Sequence, residues 1–202
     1  MVGINGVWNV NYYTGSSRFL GVLLNGYTLS TIASFNSGAP FTITTNSDNN
    51  KDGYNNDRPN LVPGVNPFLS KSRSRFTAAQ AWFNTAAFVA NCQQATTGTK
   101  ACTTTTGIGP GGADGNTPRD YMRAPGYRDV DLGVSRDFKF ERGMGLTFRA
   151  DATNAFNLVS LNTPGSSGTP TTVGGAPTSG TFGKITGAAS PRLIQVGARF
   201  TF

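Results

Sequence analysis

Arg192-Leu193-Ile194-Gln195-Val196-Gly197-Ala198-Arg199-Phe200-Thr201-Phe202 places Ile194, Val196, Ala198, Phe200 and Phe202 on one side of an extended chain and Leu193, Gln195, Gly197, Arg199 and Thr201 on the other. Successive side chains of a strand point to opposite faces, so this period of two suits a strand with one face in an apolar medium and the other in water. At a rise of roughly 3.3 Å per residue and a tilt near 40°, about eleven residues climb roughly 28 Å along a membrane normal, close to the height of an outer-membrane apolar band. A soluble β-sandwich strand with one buried face shows the same alternation, so this segment by itself leaves both readings open.

The segments upstream separate the two readings. Between Gly143 and Asn154, Met144, Leu146, Phe148, Ala150 and Ala152 share a face opposite Gly145, Thr147, Arg149, Asp151 and Thr153. Before them, Val130, Leu132, Val134, Phe138 and Phe140 alternate with Asp129, Asp131, Gly133, Ser135, Asp137 and Lys139, and the phase breaks only at Arg136. Glu141 and Arg142 form the tight connection, followed by Gly143, which is free to take a positive φ. Asp131, Arg149, Asp151 and Arg199 are the candidate lumen residues, with cross-strand pairs such as Asp131 or Asp137 with Arg149 or Arg199. In a wet lumen such pairs form at little cost, whereas in a sandwich core they carry a desolvation penalty of several kcal/mol.

Working outward, a strand is expected from Gly6 to Tyr13, then a turn at Thr14–Ser17. A second run is expected from about Arg18 through Tyr27, Leu29, Thr31, Ala33 and Phe35, resuming after a bend near Gly38 with Pro40–Thr44. Polar, Gly/Thr/Pro/Asn-rich stretches without periodicity fill about 46–126 and 157–191. Connections therefore alternate between short and long, as in outer-membrane barrels, whose periplasmic turns are tight and whose outer loops are extended. The expected fold class is all-β: about five C-terminal strands of a transmembrane antiparallel β-barrel with long extracellular loops. The localisation that follows is the bacterial outer membrane, with its lipid as a partner.

Composition agrees with this class. Gly 26 and Pro 11 in 202 residues mark a loop-rich β protein, and no run of about 18 apolar residues offers a helical membrane span. Of helical patterns, Ser74–Phe83 is the longest, at two or three turns. The formal charge of +7 is scattered among strands and loops, with only Lys71–Arg75 clustered as a solvated loop, so no nucleic-acid partner is expected. Histidine is absent, which removes Ser/His/Asp and Cys/His catalysis, and no enzyme is expected. Cys92 and Cys102 close a loop of about eleven residues and are expected to form a disulfide in an oxidising compartment, worth roughly 2 to 3 kcal/mol to that loop. Met1–Asn5 shows no basic region followed by an apolar core, so no signal peptide is read there.

Asp48-Asn49-Asn50-Lys51-Asp52-Gly53 fits the opening of a D-x-[DN]-x-[DN]-G calcium loop, with Asp48, Asn50 and Asp52 at alternate positions and Asp57 as a further ligand. Pro59 stands at the twelfth position in place of the bidentate Glu, which excludes an EF-hand; calcium in this outer loop is the only cofactor considered. Gly107–Gly112 neither follows a strand nor opens a helix and is not read as a phosphate loop. Trp82, Phe83 and Phe88 either stack on a planar ligand or anchor the loop to the barrel rim.

Several short stretches, in this order, resemble the carboxyl-terminal part of TonB-dependent outer-membrane receptors of the Oar-like group with a carboxypeptidase-regulatory-like amino-terminal domain. They are Gly26–Ser30, Asn36–Thr42, Asn56–Leu61, Trp82–Phe88, Arg123–Leu132, Phe148–Asn157 and Pro191–Phe202. The resemblance implies a barrel of 22 strands around a plug. It also implies import of siderophores, cobalamin, saccharides or peptides, powered through TonB. The alternate apolar residues ending in Val196, Phe200 and Phe202 resemble the signal read by the barrel-assembly machinery. Because about five strands fall short of the roughly eight needed for the smallest closed barrel, the expectation is a partial barrel that does not transport alone. It would engage TonB through amino-terminal parts outside these residues. The alternative is a secreted or surface β-rich module recognising saccharide or protein through its long loops.

Overall fold

The computed structural model describes residues 1–50, 52–70, 72–91, 114–140 and 143–202. In chain order its elements are β1 (Val2–Val10), α1 (Arg18–Leu24), β2 (Tyr27–Asn36), β3 (Pro40–Phe41), β4 (Asn60–Leu61), α2 (Arg75–Gln80), β5 (Phe88–Val89), β6 (Met122–Arg123), β7 (Tyr127–Lys139), β8 (Gly145–Thr153) and β9 (Leu193–Thr201). The chain divides into two compact units: Met1–Ser37 with Gly126–Ser160 and Ala189–Phe202, and Gly38–Pro125 with Leu161–Ala188.

The first unit is a five-stranded antiparallel sheet in the order β1-β2-β7-β8-β9. Neighbours in the sheet are neighbours along the chain once the second unit's segments are set aside, which is the up-and-down order of a barrel wall. The strands are 9 to 13 residues long, the length a tilted strand needs to cross a bilayer. The all-β expectation therefore holds, and strand edges β1 and β9 are unpaired within the described residues.

Three local expectations are corrected. The stretch from Arg18 is helix α1, not the start of a strand, and β1 spans Val2–Val10 in place of Gly6–Tyr13. Phe19, Leu20, Val22, Leu23 and Leu24 do not alternate, and the Ser17 side chain accepts a hydrogen bond from the Leu20 N–H at 3.4 Å, capping the turn. Asn25 closes the connection, donating to the Tyr13 carbonyl and accepting from the Tyr13 N–H, both at 2.9 Å. Gly26, at φ +85°, then turns the chain into β2. The bend near Gly38 does not continue one long strand: β2 ends at Asn36, and β3 pairs with β6 in a separate ladder. A Cβ on Gly38 would lie 1.6 Å from the Ala124 carbonyl oxygen, so only glycine allows that approach.

At the β7–β8 connection Gly143 takes φ +82° as anticipated, and the Phe140 N–H donates to the Met144 carbonyl at 2.8 Å. Glu141 and Arg142 lie outside the described residues.

The second unit has the hydrophobic core. Ile43, Phe83, Ala87, Phe88, Met122 and Phe182 are buried together. The three phenylalanines meet edge to face, with Phe83 at 5.1 Å from Phe182 and 5.5 Å from Phe88. Phe182 comes from the later of the two excursions, and backbone bonds stitch both together: Trp82 N–H to the Gly183 carbonyl, Ile185 N–H to Ala79 and Ala90 N–H to Pro170, each at 2.7 Å. Helix α2 forms within Ser74–Phe83, with Ser74 capping the Thr77 N–H at 3.2 Å.

Candidate functional site

The register decides what each face of the sheet carries. Trp8, Leu29, Val134, Ala150 and Val196 are successive partners across the five strands, and so are Gly6, Thr31, Leu132, Ala152 and Ile194. Partners in an antiparallel ladder point to the same side, so these rows form one continuous apolar face. The intervening rows, Val7-Ser30-Gly133-Asp151-Gln195 and Asn9-Thr28-Ser135-Arg149-Gly197, form a polar face. Among the described residues no protein core covers the apolar face: Phe148, Val196 and Phe200 are 46%, 74% and 55% exposed. A soluble sandwich would bury these three residues; an exposed apolar face of this extent needs another apolar phase.

Arg136, where the alternation breaks, does fall on the apolar face. Its guanidinium lies 4.6 Å from the Tyr27 ring centre and 4.4 Å from that of Phe138. Its Nη1 donates to the Tyr27 hydroxyl at 3.0 Å and to the Leu23 carbonyl, near the end of α1, at 3.2 Å. The charge is carried by aromatic faces and a helix-end carbonyl near the sheet margin, where an amphipathic side chain can reach the membrane interface.

On the polar face, Asp131, Arg149, Asp151 and Arg199 all stand where the alternation put them, but the anticipated cross-strand pairs do not form. Arg149 Nε instead bonds Asp151 Oδ2, two residues along the same strand, at 2.7 Å. Asp137 accepts from the Thr147 hydroxyl at 2.5 Å, and Asp131 accepts from the Asn154 N–H at 2.9 Å. The register is the reason: Ser135 and Gly197 stand opposite Arg149, and Thr147 stands opposite both Asp137 and Arg199, so no carboxylate directly faces either arginine. Asp151 itself faces Gly133, where a Cβ would lie 2.9 Å from its Oδ1. Val196 and Phe200 lie on the apolar face of β9, and Phe202 stacks on Phe200 with ring centres 6.1 Å apart.

In the second unit, Asp48, Asn50 and Asp52 fold into one turn closed by its own backbone. Asp48 accepts from the Asp52 and Gly53 N–H groups at 3.0 and 2.9 Å, and Asp52 accepts from the Tyr54 N–H at 2.9 Å. Asp57 is buried and accepts from the Asn49 and Asn50 N–H groups at 2.5 and 3.1 Å. Asn50, Asp52 and Asp57 line a polar cleft of about 340 Å³, but Arg58 and Arg119 line it too. Among the described residues no group of three or more His, Cys, Asp or Glu side chains is gathered to hold a metal ion. Cys92 and Cys102, and the Gly107–Gly112 stretch, lie outside the described residues. Phe83 and Phe88 are buried core residues of the second unit.

Arg58 ties this unit together across a long sequence separation. Its Nε and Nη2 donate to Asp114 Oδ2 at 3.2 and 3.0 Å, its N–H to Asp114 Oδ1 at 3.1 Å, and its Nη1 to the Thr117 carbonyl at 3.0 Å. Burial pushes the Asp114 carboxyl up, but the hydrogen bonds and charge of Arg58 outweigh it and hold the group below its ordinary value. At Asp57 burial wins over the two amide bonds, and the carboxyl rises. A lowered carboxylate contributes stability above its unfolded value and loses it as pH falls through the folded one, whereas a raised carboxyl acts in the opposite sense. Asp114→Asn is accordingly expected to speed proteolysis of the Asn56–Thr117 region at pH 7 and to flatten its rise below about pH 4. Equal protection of variant and unsubstituted chain at pH 7 would show that the pair holds nothing.

The family model of the outer membrane beta barrel domain matches residues 1–195. The chain belongs to this family. No curated protein and no solved structure matches it. As an outer membrane beta barrel domain it resides in the bacterial outer membrane. Sequence reasoning missed helix α1, whose capped, non-alternating Ser17–Leu24 was the signal available, and the aromatic core, whose residues have no short period.

Proposed function

We propose that the chain supplies the C-terminal strands of a TonB-dependent, Oar-like transporter barrel that imports a siderophore, saccharide or peptide. The observation that carries this reading is a five-strand meander with an unbroken apolar face and two unpaired edges, β1 and β9. A row of unpaired backbone groups cannot face hydrocarbon, so further strands must close the wall. The excursions between β2 and β7 and between β8 and β9 leave the sheet from one end, as ligand-collecting loops do in such receptors, while the α1-containing β1–β2 connection and the β7–β8 turn lie at the other. Outer-membrane lipid covers the apolar face, the barrel-assembly machinery inserts the strands, with Val196, Phe200 and Phe202 as its recognition residues, and TonB acts through other parts of the receptor. The chain has no enzymatic role in this scheme. Chemical cross-linking in living cells tests it: the receptor carrying these strands should cross-link to TonB. Failure to capture TonB, with the protein correctly in the outer membrane, would remove the transporter role and leave a barrel of another kind.

A further inference from the structure

The second unit contains a cleft of about 560 Å³ lined by Phe68, Trp82, Tyr121, Met122, Arg73 and Arg123, with Leu69, Ser70 and Ala78 completing its wall. Phe68 and Tyr121 lie 5.4 Å apart at a tilt of 49°, and Phe68 is half exposed. The Trp82 indole is fixed by its Nε1–H, which donates to the Arg123 carbonyl at 2.7 Å. Arg73 is equally fixed. Its Nε donates to the Ser70 carbonyl at 2.8 Å, its Nη2 to the Trp82 carbonyl at 3.3 Å and its Nη1 to the Ala81 carbonyl. Arg123 Nη1 reaches only the Gly38 carbonyl, at 3.3 Å.

These carbonyl bonds orient the guanidinium groups without neutralising them. The ion pairs among the described residues are Arg58–Asp114 and Arg149–Asp151, and neither Arg73 nor Arg123 takes part in one. A cleft with three aromatic rings and two arginines outside any ion pair in its wall suits an anion, and the rings favour one that carries a flat apolar surface. The lining contains no Asp, Glu, Asn or Gln. A neutral saccharide would find few acceptors for its hydroxyls there, and a metal ion would meet only positive charge.

We propose that this cleft binds an aromatic carboxylate, its ring packed among Phe68, Trp82 and Tyr121 and its carboxylate on Arg123 and Arg73. The cleft stands without the transport reading, since binding is measured on the full chain in detergent micelles. In a Trp8→Phe background Trp82 is the single tryptophan, and its fluorescence reports occupancy. 4-Nitrobenzoate is expected to quench it saturably, at least about tenfold more tightly than the uncharged 4-nitrobenzamide. Arg123→Gln should weaken the nitrobenzoate by about tenfold with Arg123→Lys recovering part of the loss, and Phe68→Ala, at a half-exposed ring, should weaken both probes. Equal affinity for acid and amide, quenching that never saturates, or tighter binding of galacturonate than of nitrobenzoate would each overturn the assignment. Unchanged Trp82 emission of Arg123→Gln before ligand is added shows that the cleft itself survives the substitution.

Discussion

Phe83→Ala is expected to lower the stability of the second unit by about 3–5 kcal/mol. Phe83 is 1% exposed and makes edge-to-face contacts with Phe88 and Phe182, with the Phe41 ring a further 6.3 Å neighbour. Truncation removes a whole ring from the meeting point of segments distant in sequence, so the loss includes the cavity left behind as well as the transfer energy of the ring. Proteolysis of the full chain in detergent is the measurement: cleavage within Gly38–Pro125 and Leu161–Ala188 should accelerate by roughly a hundredfold or more. Fragments appearing no faster than from the unsubstituted chain would mean that the aromatic cluster does not hold this unit.

Ala150→Arg and Gln195→Arg form the second test, because they place the same charge on opposite faces of the sheet. Ala150 lies in the middle of the apolar row, between Val134 and Val196, whereas Gln195 is the partner of Asp151 on the polar face. A guanidinium facing the middle of the bilayer costs about 2–4 kcal/mol, while one in a wet lumen beside a carboxylate costs little. The protease-resistant protein recovered from the outer membrane should fall sharply for Ala150→Arg and remain near normal for Gln195→Arg. Equal recovery of the two would contradict the assignment of faces.

Much of the sheet was legible because its information is local. Leu146, Phe148 and Ala150 differ from Thr147, Arg149 and Asp151 at every step, and a period of two needs no knowledge of neighbours. Even Arg136 was visible as the one residue out of phase, although its solution, two aromatic rings and the Leu23 carbonyl, depends on strands far apart in sequence. The cross-strand ion pairs of Asp131 or Asp137 with Arg149 or Arg199 were misjudged for the same reason: alternation does not reveal the register, which sets Ser135 opposite Arg149 and Thr147 opposite Asp137 and Arg199.

The stretches read as polar loops show where such reasoning stops. Ile43, Phe83, Phe88, Met122 and Phe182 are scattered among Asn, Thr, Gly and Pro, and no period of two or of 3.6 joins them. Only the folded chain brings them into one core and sets Arg73, Arg123 and Trp82 around one cleft. The amino-acid order by itself determined that this protein is a set of two-faced strands suited to an outer membrane, because alternation acts between adjacent residues. The tertiary structure alone decided which strands pair, which carboxylates find which cations, and that the long connections pack around aromatic rings. Those outcomes rest on contacts between residues tens to more than a hundred positions apart, whose energies appear only once the chain has closed on itself.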